Sequence, residues 1–288
     1  MSTDAGTFVR PQAVRSFIGY LPPAEALNHL SGRNPNPPNA AELQTRAETA
    51  RDSVRTRVRK VDLSAVISPL PPVVDEYVTR LRTEPAHAPY FAEGYEVKMV
   101  DLTRVVAAQP SINITSACER VGAVETDDWG RLAEITLPIP GPPQALAATF
   151  DQTHLAWMLQ SANPNLRIVG GGTAQTAPSV FLYGFLVQEL TSVMSVAHYE
   201  GRYILRDGYH RAYGLLCTGV TSVPAYVRDF ERYADILPLT GMLPHEVISG
   251  DNPPLLPDYL DPEFGIDVYL PTQRKLVVIN GLELAPPA

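Results

Sequence analysis

The stretch Tyr203-Ile204-Leu205-Arg206-Asp207-Gly208-Tyr209-His210-Arg211-Ala212-Tyr213-Gly214-Leu215-Leu216 carries more information than any other in this 288-residue chain. Tyr203, Ile204 and Leu205 are aromatic, β-branched or apolar and predict a strand. Asp207-Gly208 breaks it, because glycine reaches backbone angles that other residues resist. Ala212, Leu215 and Leu216 then recur at helical spacing, with Gly219 as a stop. The helix therefore begins at Tyr209-His210-Arg211, where unpaired N–H groups and the positive dipole end collect. Such an end attracts anions, and an arginine fork suits phosphate oxygens. The competing reading is an ordinary strand-to-helix corner with polar residues facing water.

The residues beyond the corner narrow the choice. Asp207-Gly208-Tyr209-His210-Arg211-Ala212, then Thr218-Gly219-Val220, then Val223-Pro224-Ala225-Tyr226-Val227, resembles the second sequence box of the ParB/sulfiredoxin superfamily. The first box of that superfamily, a strand and a loop ending in Gln-Pro, resembles Val97-Lys98-Met99-Val100-Asp101-Leu102 with Gln109-Pro110. The resemblance covers roughly residues 95–228, with a long insertion between the boxes. It implies an α+β fold, a small mixed sheet flanked by helices. Around that core the chain predicts a helical N-terminal extension (1–92) and a proline-rich C-terminal wrap with strands (231–288), leaving 93–230 as the core domain.

Departures from the superfamily pattern discriminate among its activities. Sulfiredoxins carry a cysteine nucleophile where this chain has Tyr209, and a phenol cannot perform thiol redox chemistry. Cys217 lies about two turns further along the same helix, where the pattern predicts burial. Chromosome-partitioning members follow the core with a helix-turn-helix, and residues 228–288 show no such module. A free-serine kinase branch carries an Asp-Gly-His-His-Arg version, which Asp207–Arg211 resembles. That likeness implies a nucleoside triphosphate, ATP or CTP, with magnesium. His210 and Arg211 would hold phosphates, Gly208 and Tyr209 complete the cradle, and Gln109 contacts base or sugar. Asp207 would hold the ion, orient an acceptor or act as base, so Asp207 and His210 are the candidate catalytic residues. Glu189 and Glu200 are further carboxylates by proximity in sequence. The implied function is a nucleotide-dependent phosphotransferase or hydrolase acting on a small molecule. The alternative is a regulatory or protein-interaction module with a sensing or vestigial pocket.

Composition bounds the rest. Charged residues at 19%, a hydrophobic fraction of 45% and a net charge of −8 describe a globular acidic protein, which opposes DNA as a partner. Two cysteines, Cys118 and Cys217, suggest no disulfide or thiolate metal site and point to a reducing, cytoplasmic setting. The first six residues lead into no apolar signal segment, and the longest apolar run, 180–187, is too short for a bilayer of about 30 Å. Twenty-eight prolines, close to twice the usual fraction of about 5%, cluster at 22–23, 35–38, 69–72, 138–143 and 253–257 and mark boundaries.

Helices are expected at 24–30, 40–60, 73–82, 116–121, 146–159 and 228–234. Arg51, Arg55, Arg57, Arg59 and Lys60 give the second of these a basic end, either a solvated face or a docking surface for an acidic partner. With the proline-rich flanks it is the candidate protein contact. Strands are expected at 63–67, 96–102, 132–137, 167–169, 266–270 and 275–279, the last two paired together or added to the central sheet. Residues 181–189 read as a buried helix or strand, Gly170-Gly171-Gly172 as a flexible turn, Trp157 and Met158 as core, and His198 as a packed strand residue.

Overall fold

The computed structural model describes residues 11–57, 65–141, 148–161, 166–189, 191–236, 241–271 and 275–280. The chain divides into two compact units, Met1–Ile139 with Ser192–Thr272, and Pro140–Thr191 with Gln273–Ala288. From the N-terminus, β1 (Pro11–Ser16) leads through α1 (Pro23–Leu30) and α2 (Ala40–Thr56) to β2 (Ile67–Ser68). Next come α3 (Pro72–Leu81), α4 (Ala88–Ala92), β3 (Glu96–Asp101), β4 (Val106–Ala107), β5 (Ser111–Asn113), α5 (Ile114–Val121) and α6 (Trp129–Thr136). The second unit contributes β6 (Ala148–Asp151), β7 (Ala156–Ser161), β8 (Leu166–Ala177) and β9 (Val180–Glu189). The chain re-enters the first unit with β10 (Ser195–Tyr199), β11 (Arg202–Asp207), α7 (Tyr209–Cys217), β12 (Ser222–Asp229), α8 (His245–Ser249) and β13 (Ile266–Pro271). Strand β14 (Lys275–Asn280) belongs to the second.

The first unit is mixed α+β. Its main sheet has six strands in the order β2-β3-β12-β10-β11-β4. Pairing is antiparallel except at β10–β12 and β11–β4. Successive side chains of a strand point to opposite faces, and β12 shows it. Val223, Ala225 and Val227 join one core with Tyr209, Leu215 and Ala117, whereas Tyr226 joins another with Val74, Leu81, Ala133 and Leu137. Helices α5 and α7 therefore cover one face and α3 and α6 the other. Gly214 permits the α5–α7 contact, since a Cβ there would lie 2.7 Å from the Ala117 carbonyl oxygen. A smaller sheet, β13-β1-β5, ties both ends of the first unit together. The second unit holds a three-stranded sheet, β14-β7-β6, and the ribbon β8-β9. Among the described residues, no helix is long and apolar enough to cross a membrane.

Several expectations are corrected here. Residues 132–136 lie in α6, with Leu137 just beyond its end, rather than in a strand. Asp128 Oδ1 accepts the Arg131 N–H at 3.0 Å to cap that helix, and Leu132, Ala133, Ile135 and Thr136 are buried at helical spacing. The expected helix at 146–159 is instead the β6–β7 hairpin, with 146 and 147 outside the described residues. Its turn closes as Asp151 Oδ1 accepts N–H groups from Thr153 and His154 at 2.8 and 3.2 Å. Trp157 is half exposed, not core. The glycine run is no turn but part of β8, with Gly171 opposite Phe185 and Gly172 opposite Gly184.

Strand β9 forms, yet its apolar side chains are exposed. Residues 228–234 continue β12 and end in a 3-10 turn at Tyr233–Asp235. The two late strands neither pair together nor join the central sheet, because β13 pairs with β1 and β14 with β7. Helix α2 stops at Thr56, and Arg57 turns inward to Asp258; Arg59 and Lys60 lie outside the described residues.

Candidate functional site at the Asp207–Gly208 turn

Strand β11 ends at Asp207, whose Oδ1 accepts the Gly208 N–H at 2.7 Å and whose Oδ2 accepts the Ser192 hydroxyl at 3.0 Å. Gly208 has φ +99°, in the left-handed region, and a Cβ there would sit 3.1 Å from Met194 Cα. Only glycine relieves both constraints. Helix α7 starts immediately, with no side chain capping its first amides.

The segment that leads to Gln109-Pro110 meets β11 at this turn. Ile204 and Leu205 of β11 pair in parallel with Val106 and Ala107 of β4. Just beyond, the Tyr209 hydroxyl accepts the Ala108 N–H at 3.1 Å and donates to the Leu205 carbonyl. Gln109 follows, its side-chain amide donating to the Ser111 carbonyl at 2.5 Å and its own carbonyl accepting the Tyr259 hydroxyl.

The side chains on the first turn of α7 look inward. Tyr209 is buried, and burial holds its phenol well above its ordinary pKa. The Nε2 of His210 accepts the Asn113 N–H at 3.2 Å. Burial, then the charges of Arg120 and Arg211, push the imidazole down to about 4, so it is neutral at pH 7. Arg211 is 5% exposed and donates through one terminal nitrogen to the Ile135 carbonyl at 3.0 Å and through the other to Ser192 Oγ at 2.6 Å. Burial lowers its pKa to about 10, which leaves it charged. Its Nε has no hydrogen-bond partner among the described residues. The two side chains expected to hold phosphates thus lie inward: His210 is neutral at pH 7, and the Arg211 fork is shared between the Ile135 carbonyl at the C-terminal end of α6, where a cation also complements the helix dipole, and Ser192 Oγ.

Three features escaped the sequence reading. Ser192 links Asp207 to Arg211 by donating to one and accepting from the other. Exposed Arg120 on α5 lies near enough to lower the pKa of both His210 and Arg211. Beside Asp207, the guanidinium groups of Arg206 and Arg228 lie 4.8 and 4.7 Å from the Phe230 ring centroid, and 5.8 and 5.5 Å from that of Tyr95. Strand parity could have placed Arg206 on the face opposite Leu205, but nothing local links it to Arg228.

Glu200 sits in the β10–β11 turn, roughly 20 Å from Asp207 along the strand at ~3.4 Å per residue. Glu189 belongs to the second unit. His198 is a packed strand residue, stacked on Tyr203 and bonded to Asp229 at 2.6 Å. Cys217 is exposed rather than buried. No group of three or more His, Cys, Asp or Glu among the described residues could hold a metal. Asp207, exposed at the turn, would be the carboxylate to hold a magnesium ion carried on phosphate oxygens.

No family model, no curated protein and no solved structure matches the chain.

Proposed function

We propose that the first unit is a ParB/sulfiredoxin-like nucleotide-binding module. In this reading it takes a nucleoside triphosphate, ATP or CTP, with magnesium at the Asp207–Gly208 turn and acts on a small molecule as a phosphotransferase or hydrolase. The observation that carries the reading is the parallel pairing of β4 with β11, which sets Gln109 and the uncapped start of α7 at one end of the sheet. The amides of His210 and Arg211 would donate to phosphate oxygens, and exposed Arg120 would add charge. Magnesium supplies charge neutralisation on the phosphates. Asp207 would hold that ion or accept a proton from the acceptor hydroxyl. His210 Nε2 already accepts from Asn113, which leaves Nδ1–H as its donor.

A second reading has its own support. Tyr209 and Arg211 are both committed to backbone carbonyls, as they would be in a sensing or vestigial pocket. Protein contacts would then fall to the exposed face of α2 and the proline-rich flanks.

Titration calorimetry of the full chain with each of the four nucleoside triphosphates, with and without magnesium, tests the proposal. Binding should occur, weaken with Arg120→Ala, lose its magnesium dependence with Asp207→Asn, and survive Cys217→Ser. No heat with any nucleotide, from protein that unfolds cooperatively, removes the nucleotide reading. Binding without turnover selects the sensor.

A further inference from the structure

Within the second unit, β8 and β9 form a ribbon of two strands, with no strand paired on either outer edge among the described residues. An isolated ribbon is marginal in water, and an open apolar edge is a template for another strand. Strand β9 reads Val180-Phe181-Leu182-Tyr183-Gly184-Phe185-Leu186-Val187-Gln188. Val180, Phe181, Leu182, Tyr183, Phe185 and Leu186 are each at least 50% exposed. A strand that is apolar on both faces has the composition of a buried one.

We propose that β9 pairs antiparallel with β9 of a second copy of this chain, about a twofold axis through Gly184. The order of residues is the reason. Counting outward from Gly184, Tyr183 is matched by Phe185, Leu182 by Leu186 and Phe181 by Val187. A twofold axis there sets aromatic against aromatic and leucine against leucine, the self-complementarity that an isologous contact requires. Glycine occupies the axis, and nothing lies within 4 Å of its Cβ position. Moving the axis to Phe185 sets Gly184 against Leu186 and Tyr183 against Val187; moving it to Tyr183 keeps one aromatic pair, Phe181 with Phe185, but sets Gly184 against Leu182.

Six half-exposed large side chains expose about 100 Å² each, roughly 600 Å² per copy; edge pairing covers their flanks and the free backbone edge of β9, a contact smaller than the standard of about 800 Å² per partner and therefore a concentration-dependent one. Charge also favours a second copy over a lipid surface. From Leu166 to Glu189 the charged residues are Arg167 and Glu189, both at the base of the ribbon, so the copies do not repel and no cationic tip meets headgroups.

Light scattering and sedimentation of the full chain should give a dimer at tens of micromolar. In a Cys118→Ser/Cys217→Ser background, Gly184→Cys should cross-link two chains on mild oxidation. Opposed residues of an antiparallel pair have Cα atoms about 4.5–5.5 Å apart, within disulfide range. Leu186→Glu should weaken the dimer about tenfold or more. Adding Leu182→Lys should restore it, because positions 182 and 186 face each other across the axis. Circular dichroism and thermal unfolding separate loss of pairing from loss of fold. A monomer with no cross-link overturns the proposal. So does a dimer indifferent to Leu186→Glu, or a monomer that floats with phosphatidylcholine–phosphatidylglycerol vesicles.

Discussion

Replacing Arg211 separates a residue kept for a ligand from one kept for the fold. Arg211→Met preserves most of the volume and deletes two short charge-assisted bonds, to the Ile135 carbonyl at 3.0 Å and to Ser192 Oγ at 2.6 Å. At about 1.5–3 kcal/mol each, these are worth roughly 3–6 kcal/mol. Burial acts the other way. Holding the guanidinium pKa down to about 10 costs roughly 3 kcal/mol, which the neutral side chain recovers. Leaving the buried Ile135 carbonyl without this donor adds about 1 kcal/mol, so the net expectation is a loss of about 1–4 kcal/mol, or about 3–12 °C in Tm for a unit of this size. Trp129, at the start of α6, reports on the relevant region once Trp157→Phe silences the other tryptophan. Urea unfolding followed by that fluorescence gives the midpoint. Arg211→Lys should lose nearly as much, because an ammonium cannot span both acceptors. An unchanged midpoint and slope in Arg211→Met, with nucleotide binding lost, would refute the structural assignment and return Arg211 to the ligand.

Arg57 and Asp258 form a bidentate pair at 2.8 and 2.6 Å, with the carboxylate side chain 3% exposed. Arg57→Met should cost about 3–5 kcal/mol by stranding a buried charge, and Arg57→Met/Asp258→Asn should recover much of it, both read from urea midpoints. The fold should also weaken in acid. Burial lowers the pKa of His87, whose Nε2 donates to the Pro138 carbonyl and whose Nδ1 accepts from Tyr226, and His210 is held at about 4. Both stay neutral while the unfolded chain takes up protons near pH 6.5. Stability is therefore complete above that pH and falls as pH drops from about 6.5 towards 4, His210 contributing about 2–3 kcal/mol. Urea midpoints from pH 7 to 4 measure the slope, which His210→Gln should flatten; an equal slope in the variant contradicts the assignment.

What could be read from sequence was local. Tyr203–Leu205 followed by Asp207-Gly208 specifies a strand, a break and a helix start within a few residues. The prolines at 23 and 72 mark the first turns of α1 and α3, where the missing N–H costs nothing. Six apolar-rich residues at 132–137 fit either period, and the deciding signal was the cap at Asp128, just upstream. The destinations of long side chains were not legible. Arg57 reads as one more cation at a basic helix end, yet its partner is 201 residues away. Arg211 reads as a phosphate fork, yet its acceptor is 76 residues upstream. Strand β9 has the composition of a buried strand, so its exposure was not legible in the sequence.

The turn also shows why a motif and a site are different things. Asp207 reaches Ser192, Tyr209 joins β4 to β11, His210 receives the amide of Asn113 at the head of α5, and Arg211 holds the end of α6. Four side chains in five residues bind four different parts of the first unit. The fold alone can therefore demand the pattern Asp-Gly-Tyr-His-Arg, and the residue types by themselves say little about a ligand. A functional argument has to rest on the first amides of α7, the Arg120 charge and the carboxylate of Asp207, which is exposed although each of its oxygens accepts one hydrogen bond from the frame. These are not isolated from the frame. A cation drawn to Asp207 competes for the oxygen that Ser192 occupies, and Ser192 is the acceptor of Arg211. Occupancy at the turn would thus reach α6 through three hydrogen bonds, Asp207–Ser192, Ser192–Arg211 and Arg211–Ile135, so a ligand that binds there should alter the exchange of the α6 amides as well as those of α7.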